Sequence, residues 1–194
     1  MKIAILILAA GKSSRMGETK QLLPFGNDSI LRAVIHNALQ TNVNDVFVVL
    51  GANAELIKTH IVDYPIQIIH NPDYEKGLGS SIAIGIHELM DYDGVTITLA
   101  DQPKVDSAYL NKLILEFNNL PDHVIASEYD GHYGVPAIFP KQYFKELTAL
   151  KGDKGAKEFL NSGTILIKSV NSSVNLVDVD TPEDYQRLIQ ERDN

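Results

Sequence analysis

Between residues 2 and 127, short apolar runs alternate with longer amphipathic ones, and this alternation restricts the chain to very few folds. Lys2 to Leu8, Val46 to Leu50, Ile66 to Ile69, Val95 to Leu99 and His123 to Ser127 are short, apolar and mostly β-branched, which predicts strands. Between them, Ser29 to Gln40 sets Ile30, Leu31, Val34, Ile35, Ala38 and Leu39 on one broad helical face. Ala54 to Val62, Ser80 to Met90 and Ser107 to Asn118 also read as helices. Strands separated by helices of this length form βαβ units. The expectation is therefore an α/β, Rossmann-like three-layer sandwich with a mostly parallel sheet. Ligands on such sheets bind beyond the carboxyl ends of strands, so the loops after Leu8 and Leu99 should open on one crevice.

The pattern loosens after residue 127. Tyr129 to Pro140 mixes Gly131, Gly134 and two prolines with Val135, Ala137, Ile138 and Phe139, which predicts a turn and an extended segment. We read it as an antiparallel addition in the C-terminal third. Lys141 to Leu150 and Lys154 to Leu160 look helical, and Ile165 to Val170 and Val174 to Val179 look like strands. Thr181 should cap a last helix with Pro182 at its first position. A length of 194 residues suits one well-buried domain, 1–194, with 129–176 as the insert that meets a second substrate.

Chemistry concentrates in residues 6 to 20, LILAAGKSSRMGETK, where a strand enters a loop with Gly11, Gly17, two serines, Lys12, Arg15 and Lys20. Glycine lets backbone N–H groups approach an anion, and Lys and Arg neutralise phosphate charge, so this is the composition of a phosphate cradle. It is neither a Walker A loop, because Gly17 is followed by Glu18 and Thr19, nor a dinucleotide fingerprint, which needs G-x-G-x-x-G. A net charge of −8 argues against broad nucleic-acid binding and leaves a small polyanion to this local basic site. Absence of cysteine removes disulfides, iron–sulfur ligation and thiolate zinc, and fits a cytoplasmic location. The apolar opening Ile3 to Ala10 is too short to span a bilayer, so no membrane partner is expected.

Asp101 follows the strand VTITLA directly, and a carboxylate at such a strand end is placed to hold Mg²⁺. In VDVDTPED, Asp178 and Asp180 would share one face of a strand. Asp180, at the strand end, is the choice for a second metal ligand, with Asp178 an open alternative; preparing the helix start is the competing role for Asp180. The segment NPDYEKGLGSS, 71–81, brings Gly77, Ser80 and Ser81 to a helix start, where they could read a base edge or hold an anion. A plain turn with a serine N-cap accounts for it equally. The six histidines show no metal-binding spacing.

LAAGKSSRMGETKQLLPF, NPDYEKGLGSSI, LADQP, the Gly131 to Pro140 segment, GDKGAK and DVDTPEDY together resemble the molybdenum cofactor nucleotidyltransferases, in their cytidylyltransferase branch. The likeness runs from the start of the chain to Tyr185. It implies a nucleotide site of Leu8, Ala9, Ala10, Gly11, Lys12 and Ser13, completed by Gly77, Ser80 and Ser81. Arg15 and Lys20 would act on the phosphates and Asp101 would bind magnesium. It also implies an activity: CMP transfer from CTP to the phosphate of molybdopterin, with release of pyrophosphate. Guanylyl-transferring relatives usually carry Gly where this chain has Ala10, which favours cytidine. Another phosphate acceptor such as a sugar phosphate, guanylyl transfer to molybdopterin, and a non-catalytic cofactor carrier are the alternatives. A molybdoenzyme or its maturation factor would be the partner. Lys157 stands where typical members have Arg, and Lys cannot copy a bidentate guanidinium contact, which bears on the second substrate.

Overall fold

The computed structural model describes residues 1–129, 131–153, 155–171 and 178–193. In chain order it comprises β1 (Ile3–Ala9), a small hairpin of β2 (Pro24–Phe25) and β3 (Asp28–Ser29), α1 (Ile30–Leu39), β4 (Asp45–Leu50), α2 (Ala54–Ile61) and β5 (Gln67–His70). There follow α3 (Leu78–Glu88), β6 (Gly94–Leu99), α4 (Ser107–Asn119), β7 (Val124–Tyr129), β8 (His132–Pro140), α5 (Phe144–Thr148), α6 (Ala156–Leu160), β9 (Ile167–Asn171) and α7 (Pro182–Asp193).

β1 is buried along its whole length because it is an interior strand of the sheet and both its faces are covered. Ile3, Ile5, Ile7 and Ala9 enter a core built with α1, α2 and α4, while Ala4, Leu6 and Leu8 enter a second core with α3, α5 and α6. Alternation of side chains on one strand thus produces the two helical layers. Gly85 of α3 is required by this packing, since a Cβ there would lie 2.5 Å from Leu6 Cδ2.

The seven strands run β5-β4-β1-β6-β8-β7-β9. Every pairing is parallel except those of β8, which is reversed between β6 and β7. The parallel sheet and its antiparallel addition are therefore both present. From β1 the chain goes to β4 and β5 on one side and then crosses to β6 on the other. The carboxyl ends of β1 and β6 flank that reversal, where a crevice opens.

Local chemistry sets the helix starts. Ser29 caps α1 by accepting from the Arg32 N–H at 3.4 Å, and Asp106 caps α4 by accepting from the Tyr109 N–H at 2.8 Å. Where the C-terminal third departs from expectation, glycine accounts for part of it. The helix expected over 154–160 shrinks to five residues because Gly152 and Gly155 take positive φ. The helix expected over 141–150 divides into a 3₁₀ turn, Lys141–Tyr143, and α5. Of the strand expected over 174–179, residues 174–177 lie outside the described residues, and Asp178 has no sheet pairing. Among the described residues no helix is long and apolar enough to cross a membrane.

Candidate active site

The loop after β1 is shaped from inside. Gln21, only 2% exposed, donates from Nε2 to the carbonyls of Ala9 at 3.2 Å and Gly11 at 3.3 Å. Ser13 sits in the left-handed region at φ 55°, and its Oγ donates to Gln21 Oε1 and accepts from the Lys20 N–H, both at 3.2 Å. Those two bonds hold a conformation that a non-glycine residue adopts at a cost. Met16 is buried with Leu23, Ile30, Val179 and Leu188, which ties the outer turn to α1 and α7.

Held this way, the loop delivers Lys20 into the crevice. Its Nζ lies 2.5 Å from Asp101 Oδ2 and 2.9 Å from Asp180 Oδ1. Arg15 Nη2 reaches Asp180 Oδ2 at 2.9 Å. The two cations differ in setting: the Lys20 side chain is 14% exposed and that of Arg15 69%. Burial works against the Lys20 charge, but Asp101 and Asp180 outweigh it and hold the ammonium above its ordinary range. The Asp101 carbonyl accepts from the Val179 N–H at 3.3 Å, which joins the loop after β6 to residues 178–180. Asp101 Oδ1 is buried without a hydrogen-bond partner.

Asp178 and Asp180 do not act from a common strand face. Asp180 turns to Arg15 and Lys20, whereas Asp178 Oδ1 accepts from Gln102 Nε2 at 2.7 Å. Although the Asp178 residue keeps an exposed edge, partial burial of its carboxyl and then the nearby charge of Asp101 push it up to about 6.

Two hollows adjoin here. One, of about 540 Å³, is walled by Ala10, Gly11, Lys12, Arg15, Lys20, Tyr74, Gly77, Ser81, Asp101 and Asp180. The other, of about 890 Å³, is walled by Ile82, Ile97, Gln102, Tyr129, Tyr133, Val135 and Lys157. Leu8, Leu78, Leu99, Asp153 and Asp178 border both, so the hollows are compartments of one cleft. Tyr129, His132, Tyr133, Gly134, Val135, Lys157 and Asn161, from the segment expected to meet a second substrate, thus contribute much of the larger compartment.

Several expected site residues lie apart from this wall. Ala9 is buried in the core on the α1 side, and Ser13 faces Gln21. Ser80 Oγ bonds the carbonyls of Asp73 and Gly77 and borders a separate hollow with Pro72 and Lys151. The N-cap of α3 is Gly77, not a serine. A Cβ on Gly77 would lie 2.4 Å from the Gly152 carbonyl carbon, and one on Gly79 would lie 2.8 Å from the Lys151 nitrogen. The glycines let the loop around 152 seat directly on the start of α3, where the Gly79 N–H donates to the Gly152 carbonyl at 2.9 Å. Gln21, Gln102 and Tyr74 were not singled out from sequence. A glutamine directly before Leu22-Leu23 is the one signal that could have marked the first.

The family model described as the MobA-like NTP transferase domain matches residues 5–168. Purine catabolism protein PucB of Bacillus subtilis (strain 168) is 35% identical over 195 residues, covering 94% of this chain and 94% of its own. Molybdenum cofactor cytidylyltransferase of Escherichia coli (strain K12) is 29% identical over 183 residues, covering 94% of this chain and 93% of its own. The crystal structure of Rv0371c from Mycobacterium tuberculosis H37Rv is 28% identical and superimposes with a TM-score of 0.85 over 97% of this chain and 98% of its own. A complex of Rv0371C with manganese superimposes with a TM-score of 0.80 at 27% identity, covering 98% of this chain and 99% of its own.

Proposed function

The chain belongs to the MobA-like NTP transferase family, and from that premise we propose that it transfers CMP from CTP to the phosphate of a molybdopterin-type acceptor, releasing pyrophosphate. The observation that carries this reading is the pair of adjoining compartments with the Lys20–Asp101–Asp180 cluster beside their common border. The smaller compartment has the cations a triphosphate needs. The larger has apolar and aromatic walls at Ile82, Ile97, Tyr129, Tyr133 and Val135, which suit the faces of a ring system better than a hydroxyl-rich sugar. The identity to the E. coli cytidylyltransferase supports the choice of acceptor.

In this reading an acceptor phosphate oxygen forms a bond to the α-phosphorus of CTP. The bridging bond from that phosphorus towards the β-phosphate breaks, and its electron pair leaves with pyrophosphate. The nucleophile is already ionised near neutral pH, so no covalent enzyme intermediate is needed. The protein's work is to align two anions and offset their repulsion. Lys20, fixed between two carboxylates, supplies a positioned positive charge at the reacting phosphates. Arg15, at the open edge, follows the departing pyrophosphate.

A divalent ion fits the residues present. Asp101 and Asp180 offer hard carboxylate oxygens, and Asp101 Oδ1 is free of hydrogen-bond partners. No cluster of three or more His, Cys, Asp or Glu side chains set for a metal occurs among the described residues. Two carboxylates, with phosphate and water completing the shell, is the habit of Mg²⁺. Asp101 and Asp180 would hold it, and the manganese complex of Rv0371C supports a divalent ion. Bound there, the ion would supply Lewis-acid neutralisation of phosphate charge.

Pyrophosphate release with Mg²⁺, molybdopterin and each of CTP, GTP, ATP and UTP tests the proposal. Acceptor-dependent release with CTP is the expected result. Release with GTP alone, or no release despite nucleotide binding, would overturn the base or the acceptor respectively.

A further inference from the structure

The reactive groups crowd one side of the smaller compartment. Arg15, Lys20, Asp101 and Asp180 are joined by hydrogen bonds beyond the ends of β1 and β6. Tyr74 belongs to the opposite side. It lies on Gly51, just after β4, and against Ala10, just after β1. Because β4 and β6 flank β1, two strand spacings, roughly 10 Å, separate the two sides. With the triphosphate at the charged side, the nucleoside falls to the side of Tyr74.

The root of the Tyr74 side chain is seated against the end of the sheet. A Cβ built on Gly51 would lie 2.5 Å from Tyr74 Cβ, 2.8 Å from its Cγ and 2.9 Å from Ala10 Cβ. The side chain therefore rests directly on the sheet end, where only glycine allows it to sit so low. On its outer side the Lys12 ammonium stands 5.8 Å from the ring centroid and pairs with Glu75 at 2.6 Å. The ring is half-buried, backed by chain on one side and flanked by an ion pair on the other.

We propose that Tyr74 is a specificity-determining residue: its ring fixes the width of the base slot, admitting a pyrimidine and excluding a purine. The inference rests on the nucleotidyl-transfer reading above, and Ala10 lines the same compartment beside it.

Direct titration of CTP, UTP, GTP and ATP in the presence of Mg²⁺, by calorimetry, separates this from a packing role. The wild type should prefer pyrimidine nucleotides. Tyr74→Ala should raise purine affinity relative to CTP by at least ~10-fold, the scale on which pocket shape discriminates. Tyr74→Phe, which keeps the ring, should leave the ratio unchanged. If Tyr74→Ala fails to fold, Tyr74→Leu keeps the contact with Ala10 and Gly51 while shortening the wall, and should shift the ratio in the same direction. A folded Ala or Leu variant with the wild-type ratio, or a wild type with no pyrimidine preference, would overturn the proposal. Binding and turnover fail separately: a shifted ratio without pyrophosphate release would sink the transfer reading, whereas CTP-dependent release with an unshifted ratio would sink the role of Tyr74.

Discussion

By composition Lys12 and Lys20 are alike, both basic residues of one glycine-containing loop, and only the family resemblance sets Lys20 apart. Their surroundings divide them. Lys12 is over half exposed and pairs with Glu75 at the surface, a kind of contact worth about 0–1 kcal/mol. Lys20 is enclosed between Asp101 and Asp180, and removing it leaves the buried Asp101 carboxylate without its cation and Asp180 with Arg15 alone. In steady-state assays Lys20→Ala should therefore lose at least ~100-fold in turnover, while Lys12→Ala should change the CTP KM only a few-fold. Asp101→Asn should fall by at least ~100-fold, the scale of losing a principal electrostatic stabiliser. Near-normal turnover of that variant at saturating Mg²⁺ would remove Asp101 from its assigned role. Charged residues at strand ends were legible because strand position fixes where they emerge. Ser13 and Gln21 were not, because side-chain direction in an irregular loop follows no period and their partners, Ala9, Gly11 and Lys20, are set by the fold of the loop itself.

Among elements, α7 does more than close the chain, because its first turn places Asp180. Thr181 Oγ1 accepts from the Asp184 N–H at 3.2 Å, and the Asp184 carboxylate in return accepts from the Thr181 N–H at 3.0 Å and hydroxyl at 2.8 Å. This reciprocal cap was readable from Thr-Pro-Glu-Asp, and so were most strands, whose buried apolar runs leave little choice of element. The relation between Asp178 and Asp180 was not readable, since the face-sharing argument needs a paired strand and Asp178 has none. Thr181→Ala should cost about 1 kcal/mol, or roughly 2–4 °C in a thermal melt, and lower turnover by loosening Asp180. The Thr181 hydrogen bonds hold the Asp184 carboxyl below its ordinary range. A depressed carboxylate contributes stability that is complete above the unfolded value and lost as pH falls through the folded one. The gap between wild type and Thr181→Ala should accordingly narrow as melts are taken into the acid range, and a gap independent of pH would assign the cost to something other than this cap.

At the scale of the molecule, the cleft draws on widely separated parts of the chain: residues 8–21, the loop around 74–81, residues 99–102, 129–161 and 178–180. The two helical layers share one sheet, and β8 and β7 extend it from β6 without a break. An insert that supplies part of the main sheet cannot unfold alone without exposing the second core, where Phe139, Phe144 and Leu147 are fully buried beside Leu6 and Ile97. Residues 129–176 are therefore expected to melt with the rest, as one domain. Far-ultraviolet dichroism, which follows the whole sheet, and the ring NMR signals of Tyr133 and Tyr143, tyrosines of that region, should give superimposable transitions. CTP with Mg²⁺ at about 100 times its dissociation constant adds ~2.7 kcal/mol to the folded state, which is roughly 5–10 °C for a chain of this size. Because both compartments are walled by the same cooperative unit, the nucleotide should move both signals together. A tyrosine transition that stays in place while the dichroism shifts would mean that 129–176 folds independently, and the compartment it walls would then be a separately moving part.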